Sequence, residues 1–221
     1  MAQKNIEKRT EIMSCAYDLF STEDYNNVYL KDIARRVNIN KSLLQHYYPK
    51  KGDIMNGLLM DLLKHTFTYL ELRDEDNRDV HASLAIFTAV LWSAIDHNKR
   101  LNRFMQNALA EFEIFDNFIE SIFDWLKELR YSNSSCFEPH ALKIALFFAI
   151  QGGMSVYVQK EKLGVSTLYI CEEISRSFMH LMGCTENEQD EVIRKVEDVF
   201  PSIRLDSLYS YYDSEIEWFR L

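Results

Sequence analysis

An all-α fold is what this 221-residue chain predicts, and three observations carry the expectation. Glycine and proline are scarce, six and three in all, well below the usual share of roughly 12%, whereas sandwiches and barrels need a turn every dozen residues. Apolar residues recur at spacings of three and four with charges between them, the period of an amphipathic helix. Pro49, Pro139, Gly164 and Gly183 fall at the ends of these stripes. With 47% hydrophobic residues the chain is long enough to bury a sizeable core.

The elements follow in order. Ile6, Ile12, Cys15, Ala16, Leu19 and Phe20 make one stripe over residues 4–20, stopped at Ser21-Thr22-Glu23-Asp24. LKDIARRV, residues 30–37, reads as a short second helix, and Asn38 follows where a left-handed residue commonly ends a helix. Asn40 is a good N-cap for a third, KSLLQHYY, which stops before Pro49 because the residue preceding proline disfavours helical backbone. A long stripe from Lys51 to about Leu72 precedes the polar linker RDEDNRD. Helices are expected at Val80–Asp96, Lys99–Glu111 and Phe115–Leu129, with a polar loop over Tyr131–Cys136. Pro139 can open a helix reaching Lys162, broken at Gly164. Ser166 caps a helix ended by Gly183, and Thr185 with Glu188 forms a capping box for one more through Phe200.

The second and third helices lie one tight turn apart. Ile33, Ala34, Asn38, Ile39 and Leu44 match a helix-turn-helix, whose second helix is the usual reader of the DNA major groove. Lys41, Lys50 and Lys51 fall in the first turns of helices, where a cation opposes the helix dipole by roughly 0.3 to 1 kcal/mol. Phosphate oxygens would explain lysines there. Charge is also uneven: residues 1–60 hold nine Lys/Arg and seven Asp/Glu, the remainder sixteen and twenty-seven. A mildly basic front on an acidic body suits a polyanion partner for the front alone.

Residues 5–63 resemble the N-terminal DNA-binding domain of TetR/AcrR-type transcriptional regulators. The stretches IMSCAYDLF, DYNNVYLKDIARRVNINKS and LLQHYYPKKGDIM carry the resemblance, with Ile33-Ala34, Ile39, Lys41, Leu44, Tyr48, Lys51 and Ile54 in the family's order without gaps. It implies a three-helix DNA-binding domain over residues 1–50 and a larger helical ligand-binding and dimerisation domain over 51–221. It implies Lys41 and Ser42 as base-edge readers, and Tyr47 and Lys51 as phosphate contacts. Gln45 stands where the family most often has Tyr and can pair with adenine, a readout Tyr does not make in the same way. Tyr29 and Lys31 either touch the DNA backbone or form a solvated face; Leu43 either packs on a thymine methyl or stays exposed. Asn38 replaces the usual turn glycine, Tyr29 a capping Thr, and Ser42 a frequent glycine.

The remainder resembles the family in layout. The resemblance implies a pocket for a small apolar molecule in the aromatic-rich middle, with Leu62, Phe67, Phe87, Leu91, Phe104, Phe118, Ile122, Phe148 and Gln151 as candidate lining, although aromatics at helical spacing also build plain core. Glu111, Glu113 and Asp116 either favour a cationic apolar ligand or form a solvated helix end. Two late helices, 139–162 and 166–183, are expected to pair with a second copy through Phe147, Val156, Tyr157, Ile174, Phe178 and Leu181, because one helix-turn-helix covers only a half-site.

Enzyme signatures such as G-x-S-x-G, G-x-x-x-x-G-K, G-x-G-x-x-G and H-E-x-x-H do not occur, so no catalytic residue, cofactor or metal is expected. Cys15, Cys136, Cys171 and Cys184 show neither C-x-x-C spacing nor a nearby histidine pair, and a reduced, cytoplasmic setting follows. The charge-free stretch Ile144–Gln159 is shorter than a membrane span of roughly 20 residues. The expected protein is a ligand-responsive regulator, a repressor that binds palindromic operator DNA as a homodimer and is released by a small apolar molecule. The alternative is a helical ligand- or protein-binding module that has lost specific DNA reading.

Overall fold

The structure, a computed structural model, describes residues 2–72, 79–130, 138–199 and 204–219. Helices are its only regular elements among these residues: α1 (Ala2–Phe20), α2 (Leu30–Arg36), α3 (Lys41–Tyr47), α4 (Lys51–Glu71), α5 (Val80–His97), α6 (Lys99–Ala110), α7 (Phe112–Arg130), α8 (Pro139–Tyr157), α9 (Lys160–Leu163), α10 (Thr167–Leu181), α11 (Glu186–Val199) and α12 (Leu205–Glu215), with one 3-10 turn at Tyr25–Asn27. The all-α expectation holds. Gly164 (φ 67°) and Gly183 (φ 85°) are left-handed where helices were expected to stop, and Thr185 and Glu188 form the capping box, with Glu188 Oε2 accepting from Thr185 N at 2.7 Å.

Three boundaries differ. α7 begins at Phe112 instead of Phe115, because Glu111 O accepts from the amides of Ile114 and Phe115 while the Phe112 side chain itself is exposed. The single helix expected over 139–162 is two, α8 and α9, broken at Val158-Gln159. Just after the break Lys160 pairs with the Asp96 carboxylate. α12 follows the last helix the sequence showed. The linker RDEDNRD from Arg73 to Arg78, the loop Tyr131–Cys136 and Phe200 lie outside the described residues.

The chain forms two compact units. The first comprises Met1–His65, His97–Phe118 and Tyr209–Leu221. Its core gathers Ile12, Tyr17, Phe20, Ile33, Leu44, Ile54 and Phe104, all buried. α6 is sewn to the end of α1. Asn107 Nδ2 donates to Phe20 O and Glu23 O, both at 2.8 Å, and its Oδ1 accepts from Tyr25 N. Arg100 pairs with Asp18 and Arg103 with Asp24. The segment after α12 closes the unit: Trp218 and Phe219 are buried against Tyr17, with ring centroids 5.1 and 5.7 Å away. Trp218 Nε1 donates to Asp61 at 2.6 Å, and Thr10 to Glu217 at 2.7 Å.

The second unit comprises Thr66–Asp96 and Ile119–Leu208. α5 is its central helix, with Ser83, Phe87, Leu91 and Trp92 among its buried residues. Among the described residues α5 alone is long and apolar enough to cross a membrane, yet 78% of it is buried inside the fold; burying each large apolar side chain there contributes roughly 1.5 to 3 kcal/mol. α8 and α10 touch at Gly153, where an added Cβ would lie 2.2 Å from Ile174 Cγ1. Asp96, near the end of α5, accepts from Lys160, Thr167 and Tyr157 and so fixes the corner between α8 and α10.

Candidate nucleic-acid interface

The turn between α2 and α3 is set by Asn38, the only described non-glycine residue with positive φ, at 52°. Asparagine tolerates that conformation better than other side-chain-bearing residues. Ile39 N donates to Ala34 O at 2.9 Å, and Asn40 Oδ1 caps α3 by accepting from Leu43 N at 2.8 Å. Ile33, Ala34, Val37 and Leu44 are buried beneath the turn. Leu44 is the one buried residue of α3. Lys41, Ser42, Leu43, Gln45 and His46 all face solvent, and Tyr47 is half-buried.

This helix therefore offers nearly its whole side-chain set outward, with an amide, a hydroxyl, an imidazole and an ammonium for base edges or phosphates. Three of the cations around it lie against tyrosine rings, whereas Arg35 pairs with Asp32 at 3.9 Å. Lys31 lies 5.1 Å from the Tyr29 ring centroid, and Arg9 lies 5.7 Å from both Tyr47 and Tyr48. Lys51 lies 3.8 Å from the Tyr25 ring. A ring contact attracts a cation without neutralising it. Carboxylates neutralise their cations elsewhere in the unit, at Arg100 and Arg103.

Lys51 is more enclosed than its neighbours. Its Nζ donates to Tyr25 O at 2.5 Å, and burial pulls its ammonium below the usual lysine range, opposed by Glu111. It thus ties the start of α4 to the 3-10 turn before α2. Lys50 is exposed, and its amide donates to Asp53 Oδ2 at 2.7 Å, which gives α4 the acidic first turn that its lysines deny it. Tyr29 precedes α2 without a side-chain cap and is exposed. Burial pushes the Tyr48 phenol up, with Arg9 working against it.

The residues singled out for a ligand divide between the units. Leu62, Phe104 and Phe118 are buried in the first. In the second, Phe87, Leu91 and Ile122 are buried, and Phe67 stacks on Trp125 at 4.6 Å and meets Phe87 at 5.2 Å with its ring tilted by 43°. Phe148, 69% exposed, and Gln151 lie on the outer side of α8 instead of toward that core. Trp92 was not singled out; it is fully buried, and its Nε1 has no hydrogen-bond partner among the described residues.

The residues expected to meet a second copy also divide. Tyr157, Ile174 and Phe178 are buried within the subunit, Phe147 and Val156 are half-buried, and Leu181 is exposed. The reason is the close approach at Gly153: α8 and α10 spend their most apolar sides on each other and on α5. What remains outward is Ile144 and Phe148 on α8 and Val158 just after it, with Leu168, Tyr169 and Leu181 on α10. Arg9 and His46 were missed as well. Nothing in the spacing of α1 shows that position 9 reaches the end of α3.

A helix-turn-helix on a buried apolar base, with a solvent-facing second helix and cations beside it, is an arrangement that can enter a DNA major groove. Residues 12–58 match the family of bacterial regulatory proteins of the TetR type. A crystal structure of a TetR transcriptional regulator from Rhodococcus sp. RHA1 has a similar fold, with a TM-score of 0.59 and 13% identity over 80% of this chain and 97% of that one. No curated protein matches the chain. The family likeness thus covers the N-terminal helices, and beyond them the likeness is one of fold alone.

Proposed function

We propose that the protein is a non-enzymatic, cytoplasmic repressor that binds palindromic operator DNA as a homodimer and is released by a small apolar molecule. The observation that carries this reading is α3: one buried anchor, Leu44, and exposed Lys41, Ser42, Leu43, Gln45 and His46. In this reading Lys41, Ser42 and Gln45 read base edges, Leu43 meets a thymine methyl, and Tyr29, Lys31, Tyr47 and Lys51 face phosphates. The domain boundary near residue 50 is then functional, with DNA reading before it and ligand and partner binding after it.

Dimerisation is supported by the apolar residues left outward on α8 and α10, which a second copy would cover. Ligand response is supported by Trp92, a buried donor without a partner, since such groups are rarely left unpaired. In this reading the apolar ligand accepts a hydrogen bond from Trp92. α4 is one continuous helix whose first residues belong to the head's unit and whose last turn belongs to the other, so a ligand packed on its later part can tilt its start. Coupling of about 1 to 3 kcal/mol, roughly 5- to 150-fold in DNA affinity, is typical and must be reciprocal.

The test is selection of duplex fragments by the purified protein, followed by binding at rising salt. A reader of operator DNA enriches a palindrome and releases it steeply as salt rises. A protein that retains no duplex at low salt is instead a ligand- or protein-binding module.

A further inference from the structure

We propose that Arg9, on α1 and outside the helix-turn-helix, is a contact to the DNA phosphate backbone that also holds the end of the recognition helix. The proposal rests on the DNA reading above. The guanidinium carbon of Arg9 lies 5.7 Å from the ring centroids of both Tyr47 and Tyr48. These are the last residue of α3 and the residue that caps its end. Arg9 hydrogen-bonds the Tyr48 hydroxyl; a guanidinium that lies against aromatic rings keeps its other in-plane N–H donors available, and phosphate is the acceptor that matches their fork geometry.

Three further observations point the same way. Arg9 is exposed. Among the described residues no carboxylate lies within ion-pair distance of it, although its neighbour Lys8 pairs with Glu11 on the same helix. Tyr47, half-buried beside it, is itself a proposed phosphate contact, so a charge and a hydroxyl are placed at one end of α3. Arg9 thus acts twice: its rings-facing surface fixes Tyr47 and Tyr48, and its edge meets a phosphate.

The experiment measures binding of the full chain to a fluorescently labelled 30-base-pair random duplex by anisotropy at increasing salt, for wild type, Arg9→Gln and Arg9→Lys. Gln retains a planar head for the rings without the charge, and Lys retains the charge without the planar fork; circular dichroism melts establish that each is folded. The expected result is a salt slope lowered by about one per subunit and affinity lowered roughly five- to tenfold near 0.1 M salt for Arg9→Gln, with the slope kept by Arg9→Lys. A wild-type slope in Arg9→Gln overturns the phosphate contact while leaving DNA reading intact. Failure of the wild type to bind any duplex overturns the DNA reading, and this proposal with it.

Discussion

Asn107 is a single side chain whose hydrogen-bonding groups are spent on the chain leaving α1. Its two donors go to Phe20 O and Glu23 O, and its oxygen receives Tyr25 N. Asn107→Ala strands all three backbone groups, and the expected loss is about 1 to 3 kcal/mol in urea unfolding. Thiols show the same scale in their titration. Burial raises Cys15 from 9.0 to about 11 and Cys171 from 9.0 to about 12. The folded chain keeps protons that the unfolded chain releases above pH 9, so their contribution is complete below pH 9 and declines as pH climbs toward 11 and 12. Denaturant midpoints should therefore fall between pH 8 and pH 10.5, and less so in Cys171→Ala; a pH-independent midpoint would contradict the burial of these thiols.

At the scale of elements, α8 and α10 are the instructive pair. Gly153→Ala places a methyl group against Ile174, and the expected cost is about 1 to 3 kcal/mol of overpacking, read as a lowered melting temperature. The two sides of the pair separate by mutation. Phe178→Glu puts a charge into the subunit core and should abolish the cooperative melt, whereas Phe148→Glu alters an exposed residue and should leave a folded monomer by light scattering. A dimeric Phe148→Glu would place the partner surface elsewhere. Much of this was legible in the sequence. Asn38, Gly164 and Gly183 mark helix ends because a positive φ admits few other residues, and the Thr185 capping box needs only neighbours three apart. The division of Phe147, Phe148, Ile174 and Phe178 between core and surface was not legible, since a stripe shows that a side is apolar and not what covers it. The contact beside the break between α8 and α9 was hidden for the same reason: Asp96 lies 64 residues from Lys160.

On the scale of the whole molecule, the head is finished by residues far along the chain. Trp218 fills space between Tyr17 and Phe104 and donates to Asp61. Trp218→Ala should cost about 3 to 5 kcal/mol, and hydrogen exchange should show the loss first in α1 and α6; uniform loosening of α5 and α10 instead would mean that the segment supports both units equally. Sequence patterning gave no hint of this, because residues after 200 show no long stripe and their partners are aromatic rings on helices near the other end. Thr10 and Glu217, which are hydrogen-bonded, stand 207 positions apart. Synthesis runs in one direction, so the nascent chain carries Tyr17 and Phe104 without their cover while residues 119–208 of the second unit are being made. The helix-turn-helix is translated first and its unit is covered last, so a chain cut short before residue 218 lacks the ring that lies against Tyr17 and Phe104.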